Sequence, residues 1–358
     1  MRLLDRYIAR ECLKLLGLAL VVFLGIYLVV DAFEKLSKFL EARVGLGLIF
    51  SYYLFRLPRI FIEVLPVAVL LACLLSLGNM ARHNELVAMK MGHIGTLRIA
   101  LPCIGVGVLA SLAAWGVTEY IAPRSSERAL NIERTEVRRL PAHRTTRDSD
   151  IWYRAQGNRF VHIGLIETQS GLIRGVSVFE LSPDFTLTRR IDAQAARFSG
   201  NGWSVQHGYQ LTPAGTSVAV NAFEELTLSL GEQPEEFARV ARLPEEMTYE
   251  QLTTYIEKLE KSGVAASRYR VDLHAKVATA LVGLIMSVIG VSFGLRTSKM
   301  GVMLWVGACI PMGFLYYMLL SLGISFGRSG AIPPFVAAWI PNLVFGLAGI
   351  FSLWRLRG

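Results

Sequence analysis

Apolar residues run in six long stretches, at 13–30, 60–80, 99–118, 277–295, 300–326 and 331–354, and a polar segment of roughly 122–270 divides them three and three. A bilayer core of about 30 Å takes about 20 apolar residues as helix, and no soluble core needs that pattern six times. The pattern predicts an α-helical membrane protein with one substantial domain in water. Beyond the first stretch, helical spacing continues: Phe33, Leu36 and Leu40 share a face, while Glu34, Lys35, Lys38 and Glu41 are polar. Glu63 and Pro66 interrupt the second stretch near its start. The Gly- and Pro-rich run 327–334 separates the last two.

Inside the polar segment the period changes. The runs 150–167, 175–182, 186–200, 202–213 and 223–230 are short, rich in Val, Ile, Phe, Thr and Trp, and bounded by Gly, Asn, Pro or Ser. Gly157-Asn158 and Asn201-Gly202 read as hairpin turns. Five or more strands at this spacing predict an antiparallel sandwich or a jelly roll. After them, 248–263 is amphipathic, with Thr248 as cap, Leu252, Tyr255, Ile256 and Leu259 as its apolar stripe, and Gly263 as its end. The expected organisation is three membrane helices in 1–121 with a short helix at 82–92, a β jelly-roll-like domain at 122–246, an amphipathic helix at 247–264, and three more membrane helices in 265–358.

Charge adds orientation. The chain carries a net charge of +9. Its basic residues gather at the ends of apolar segments, so they report topology rather than nucleic acid, and no nucleic-acid partner is expected. Arg2, Arg6, Arg10, Lys14, Arg82, Lys90, Arg98, Arg296, Lys299, Arg355 and Arg357 all fall on one side. The bias predicts cytoplasmic termini, a cytoplasmic 82–98 loop and an external β domain. The basic N-terminus runs into apolar sequence with no small-residue cleavage site, which reads as a retained first helix. Cys12, Cys73, Cys103 and Cys309 all lie in or beside apolar stretches, so no disulfide framework is expected, and no Cys or His spacing suggests zinc.

No enzyme motif is present: no G-x-x-x-x-G-K-[ST], HExxH, G-x-S-x-G or Gly-rich dinucleotide turn. His162 and His207 read as surface residues of strands. Asp272 and His274 read as interfacial polar residues, with a catalytic pair as the less favoured alternative. The segment 82–96 has Leu86 and Met89 on one side, with Val87 at its margin, and Arg82, Glu85 and Lys90 polar. It is either a connecting loop or a short docking helix ended by Gly92, and composition alone weighs the two equally. A second cluster comprises Asp31, Glu34, Lys35, Lys38 and Arg43 near one end of the first helix, Arg56 and Arg59 at the matching end of the second, and Arg124, Arg128 and Arg134 after the third. These charges either snorkel at the interface or form a rim for anionic head groups. Gly283, Gly290, Gly294, Gly346 and Gly349 permit close helix packing. Tyr316 and Tyr317 either face a cavity or bond a neighbouring backbone.

Taken in order, LDRYIARE (4–11), RHNELVAMK (82–90), TEYIAPRSSERA (118–129), DIWYRAQGNRFVHI (150–163), YIEKLEKSGVAASRYRVDLHAK (255–276) and GAIPP (330–334) resemble the LptF/LptG permeases of the lipopolysaccharide export ABC transporter over essentially the whole chain, the LptG type more than the LptF type. The resemblance implies a heterodimer with an LptF-like permease and two copies of an LptB-like ATPase that hold the ATP and Mg, since this chain binds no cofactor itself. It implies LptC-like and LptA-like periplasmic β proteins as receivers, and lipopolysaccharide as the substrate. The place implied is the inner membrane of a Gram-negative bacterium. It makes 82–92 a coupling helix, with Arg82, Glu85, Leu86 and Met89 toward the ATPase. It makes Lys35 and Lys38 phosphate ligands; to these the charge pattern adds Arg56, Arg59, Arg128 and Arg134 as candidate substrate contacts, and the polar tip within an apolar helix adds Tyr317. Asp31 departs from the family pattern, which leads one to expect a lysine.

Extraction of a many-chained lipid exposes apolar area at ~25 cal/mol per Å². The energy must come from a partner, because this chain has no P-loop. An apolar β interior, with Val161, Ile163, Val176 and Val178 as candidate lining or plain core, would keep the chains covered. A membrane-anchored scaffold that moves nothing is the competing reading. A secondary transporter is disfavoured, because no paired broken helices carry buried charge.

Overall fold

The computed structural model describes residues 3–133, 136, 151–155, 158–167, 172–182, 184, 186–198, 203–214, 217–228, 244–261, 266–296 and 302–355. Arg134, the turn residues Gly157, Asn201 and Gly202, and Gly263 lie outside them, as does the side chain of Ile163. The helices before the sheet are α1 (Leu3–Glu41), α2 (Leu46–Arg82), α3 (Glu85–Met91), α4 (Thr96–Gly116) and α5 (Ala122–Ile132), the last two joined by a π-helical turn at Val117–Ile121. After the sheet come α6 (Tyr249–Lys261), α7 (Ser267–Ala280), α8 (Val282–Arg296), α9 (Val302–Arg328) and α10 (Pro334–Trp354). Among the described residues, five helical stretches are long and apolar enough to cross a membrane, and α7 with α8 supplies a sixth as a bent pair.

That pair corrects the expectation of one span at 277–295. The helix begins at Ser267 and bends by 43° at the α7–α8 break. Neither proline nor glycine sits at the break; the Ala278 carbonyl keeps the Leu281 N–H at 3.2 Å in a tightened turn, and polar side chains from distant helices add hydrogen bonds to the backbone groups there. Asn342 on α10 donates to the Ala278 carbonyl at 2.8 Å, and Ser111 on α4 accepts from the Leu284 N–H at 2.8 Å. In an apolar surround each such group needs a partner, so these two contacts hold the bend. Tyr316 fixes Asn342 in turn, its hydroxyl donating to Oδ1 at 2.7 Å. Tyr316 takes neither alternative, cavity or backbone: its partner is a side chain in the core. Asn342→Ala is expected to destabilise the protein by about 1–3 kcal/mol, the cost of orphaning buried partners; thermal melts in detergent, with Ser111→Ala alongside, measure it.

Small residues let the helices close. A Cβ on Gly290 would lie 2.8 Å from the Cys73 Cβ, on Gly294 3.1 Å from the Leu77 Cβ, on Gly283 3.1 Å from Ser111 Oγ, and on Gly349 3.0 Å from Val288. Gly346 meets nothing within 4 Å and has no such role. The tightest approaches involve glycines the pattern did not single out, Gly107 against Ser287 and Gly323 against Ala337. The core these contacts enclose joins α1, α2, α4, α8 and α9 and includes Cys12, Cys73, Cys103 and Cys309, all free and buried.

The insert holds strands β1 (Ile151–Ala155), β2 (Arg159–Glu167), β3 (Leu172–Leu181), β4 (Leu187–Phe198), β5 (Trp203–Ala214) and β6 (Ser217–Leu228). They pair antiparallel in sequence order as one meander. Val161, Val176, Val178, Ile191, Trp203 and Val205 form its buried cluster. The segment expected to open the β domain starts instead with α5, because 122–132 keeps helical amphipathicity and packs on α2. At α6, Thr248 caps as expected: its hydroxyl accepts from the Gln251 N–H, and Gln251 Oε1 accepts from the Thr248 N–H, a reciprocal box. Glu119, in the π turn, accepts the Tyr249 N–H at 2.9 Å and ties α6 to α4. Leu252, Tyr255 and Ile256 are buried. Burial, with Tyr269 beside it, pushes the Tyr255 phenol above its ordinary range, so it stays a neutral packing group.

Candidate functional site

Asp31, Lys35 and Lys38 fall at i, i+4 and i+7 of α1 and therefore on one stripe. Tyr52, Arg56, Arg59 and Glu63 repeat that spacing on α2. The two stripes meet. Asp31 Oδ2 lies 3.2 Å from Lys35 Nζ, and its Oδ1 lies 3.2 Å from Arg56 Nη2. The Tyr53 hydroxyl donates to Asp31 Oδ2 at 3.2 Å. The Tyr52 hydroxyl accepts from Lys35 at 2.8 Å and from Arg56 at 2.5 Å, and both cations stand over its ring. One turn on, Arg59 pairs with Glu63 at 3.0 Å, and Tyr27 donates to the same carboxylate at 3.0 Å. Asp31 is 7% exposed, so the carboxylate forms the floor of the cluster and the cations its walls.

Two cavities adjoin the cluster and share Tyr27 and Glu63; the cations Arg56 and Arg59 line only the smaller. One of about 230 Å³ is lined by Tyr52, Arg56, Arg59, Glu63 and residues of α5. The other, about 400 Å³, runs along α1 past Phe23, Ile26 and Val30 to Asp31 and Glu34. The apolar face of α1 beside it is open: Val21, Val22, Ile26, Val29 and Val30 are exposed in this chain. The arrangement combines fixed cations with an adjoining apolar groove, which suits an anionic head group carrying acyl chains.

Of the candidate substrate residues, the fold brings Lys35, Arg56 and Arg59 together. Lys38 is exposed further along the same α1 stripe. Arg128, on α5, is exposed and lies over the Phe55 ring at 5.3 Å. The Tyr317 hydroxyl donates to the Glu63 carbonyl at 2.5 Å, so it bonds backbone rather than facing open space. Tyr27, Tyr52 and Tyr53 were missed; the signal lay in the i, i+4 spacing of Tyr27 to Asp31 and of Tyr52 to Arg56, and the i, i+3 spacing of Tyr53 to Arg56. Asp272 receives two N–H groups of Arg328, at 2.6 and 3.1 Å, and His274 stands edge-on to Phe335, which gives both a structural setting.

The second candidate site is the short helix α3. It forms where the pattern put it, and Glu85 accepts from the Tyr7 hydroxyl at 3.1 and 3.3 Å. The expected anchors are corrected, however. Leu86 and Met89 are buried in the chain's own helical core, because the apolar face of so short a helix packs on the bundle that carries it. The side chains turned outward are Val87, Lys90 and Met91, with Arg82 exposed just before the helix. Among the described residues no group of His, Cys, Asp and Glu is placed to hold a metal ion.

Comparison with known proteins fits this geometry. The model of the family "Lipopolysaccharide export system permease LptF/LptG" matches residues 6–355. The chain is 26% identical to the lipopolysaccharide export system permease protein LptG of Escherichia coli K12 over 367 residues, covering 98% of each. It is 22% identical to the LptG protein of Haemophilus influenzae over 368 residues, covering 99% of this chain and 97% of that one.

Proposed function

The chain belongs to the LptF/LptG family of lipopolysaccharide export permeases, and from that premise we propose that it draws lipopolysaccharide sideways out of the outer leaflet of the inner membrane as one half of a permease heterodimer. Its partner is a permease of the LptF type. The work comes from ATP hydrolysis in two copies of a separate cytoplasmic ATPase, which carry the nucleotide and Mg. This chain contributes no catalytic group and no cofactor. Both termini and α3 face the cytoplasm. The β domain stands in the periplasm and hands the lipid to further β proteins there.

The observation that carries this reading is the Lys35–Arg56–Arg59 wall beside the open apolar face of α1. Phosphate on the head group meets cations with fixed N–H geometry, and the acyl chains meet the groove. Arg128 and Lys38 extend the positive field outward. At the other end of α1 and α2, Arg82 at the end of α2 and Glu85, Val87 and Met91 of α3 form the face for the ATPase, with Leu86 and Met89 fixing the helix from beneath.

The test is reconstitution. The chain, its partner permease and the ATPase are placed in proteoliposomes loaded with lipopolysaccharide, and release to a soluble periplasmic β protein is followed with and without ATP. ATP-dependent release is expected. A complex that binds envelope β proteins but releases nothing, and from which no ATPase co-purifies, would replace transport by a scaffold role.

A further inference from the structure

Asp31 is the group that the reading above leaves without a task. It carries the wrong sign for a phosphate site, yet it is buried at the centre of it. Lys35 and Arg56 pair with Asp31, and Arg59 pairs with Glu63, while Glu34, Glu133 and Glu246 also line the adjoining cavities, so the cations of the cluster already have carboxylates beside them. Asp31 takes one contact from Lys35 and one from Arg56, each at 3.2 Å. That is longer than the 2.7–2.9 Å of a well-made charged hydrogen bond. Both cations also donate to the Tyr52 hydroxyl, so neither depends on Asp31 alone. The carboxylate has a neutral donor of its own in Tyr53. A group held in this way can be displaced from its cations without being left bare.

We infer that Asp31 is an internal counter-ion that competes with the phosphorylated head group of the substrate for Lys35 and Arg56, and so keeps loading weak enough for release. The inference rests on the transport reading and deepens it. When phosphate enters, its oxygens replace the carboxylate on Lys35 and Arg56, and Asp31 keeps Tyr53. When the lipid is pushed out, Asp31 retakes the cations, so the site never passes through a state with two unpaired buried charges, which is the costly one. A permease must let go of its cargo each cycle, and a competitor built into the wall lowers affinity without removing the cations that give selectivity. Lys38 and Arg128, which Asp31 does not reach in this structure, are left to the first encounter.

The experiment uses the full chain with its partner permease in nanodiscs and measures binding of bisphosphorylated lipid A, of the same lipid stripped of its phosphates, and of inorganic phosphate. Asp31→Asn keeps the shape and the Tyr53 contact but removes the charge. It is expected to bind the bisphosphorylated lipid about tenfold tighter, on the scale of one charged hydrogen bond, and to release it more slowly per ATP. Binding of the stripped lipid should not change, and millimolar inorganic phosphate should not displace the lipid. Unchanged or weaker binding of the phosphorylated lipid, with wild-type binding intact, makes Asp31 a structural counter-ion and overturns the inference while transport stands. An equal gain for the stripped lipid, or displacement by inorganic phosphate, also overturns it. A wild-type complex that takes up no glycolipid removes the transport reading first. If Asp31→Asn does not fold, Tyr53→Phe serves: it returns the carboxylate wholly to its cations, and binding about twofold weaker is expected, where equal or tighter binding counts against the competition.

Discussion

Glu85→Lys is expected to cut ATP-driven lipopolysaccharide release by about 100-fold: if Glu85 meets a basic group on the proposed ATPase partner, the reversal sets like charges together there, which costs several kcal/mol. The helical bundle should stay folded. Leu86 and Met89, buried in the core, hold α3 to the bundle whatever occupies position 85. The substitution also acts locally: it takes the acceptor from Tyr7 and places a cation in the first turn of a helix, where the dipole disfavours it by about 0.3–1 kcal/mol. Two further variants separate the effects. Tyr7→Phe removes the hydrogen bond and leaves the carboxylate, so coupling should survive. Glu85→Gln keeps an acceptor for Tyr7 but removes the charge, so coupling should fall. ATPase co-purification and release are read for all three. If Tyr7→Phe is as damaging as Glu85→Lys, Glu85 only shapes α3 and the contact with the ATPase lies elsewhere.

The second large effect concerns folding. Gly323→Ala should destabilise the protein by about 3 kcal/mol, and Gly323→Val by more. A Cβ at 323 would lie 2.3 Å from the Ala337 carbonyl oxygen. The obstacle is backbone on α10, so no side chain can swing aside, and α9 and α10 must separate. The Tyr316–Asn342–Ala278 hydrogen bonds cross the same helices and would be strained together with them. Gly346→Ala is the control. It lies in α10, its Cβ meets nothing within 4 Å, and alanine is the better helix residue by about 0.5–1 kcal/mol. Thermal melts in detergent should show the first variant lowered and the second equal or raised. Equal melting temperatures for both would mean that α9 and α10 do not pack at the distance seen here.

The contrast between these glycines shows where sequence reading stops. Gly323 and Gly346 look alike in an apolar run. Only the neighbour helix decides that one is a contact and the other a gap. The same holds for the bend at the α7–α8 break. Its partners, Ser111 and Asn342, lie 173 and 64 residues away from the groups they satisfy, so local pattern predicts a straight span. For α3, the spacing of Leu86 and Met89 gave the apolar face, since period 3.6 is a local property. It could not say whether that face met a partner or the chain itself. At the candidate site, the i, i+4 relation of Asp31 and Lys35 was visible, while Arg56 reached Asp31 only by packing of α2 on α1.

The sequence by itself determined the membrane helices grouped around a β insert, the Thr248 cap, the basic cluster at the matching ends of the first two helices, and the resemblance to the family. All follow from periods, lengths and residue types read along the chain. The tertiary structure decided which way α3 faces, where the fourth span bends, which glycines are contacts, and that Asp31 pairs with both Lys35 and Arg56. Those depend on pairs of residues far apart in the chain, and the energy of a pair is fixed by a distance that no single segment contains.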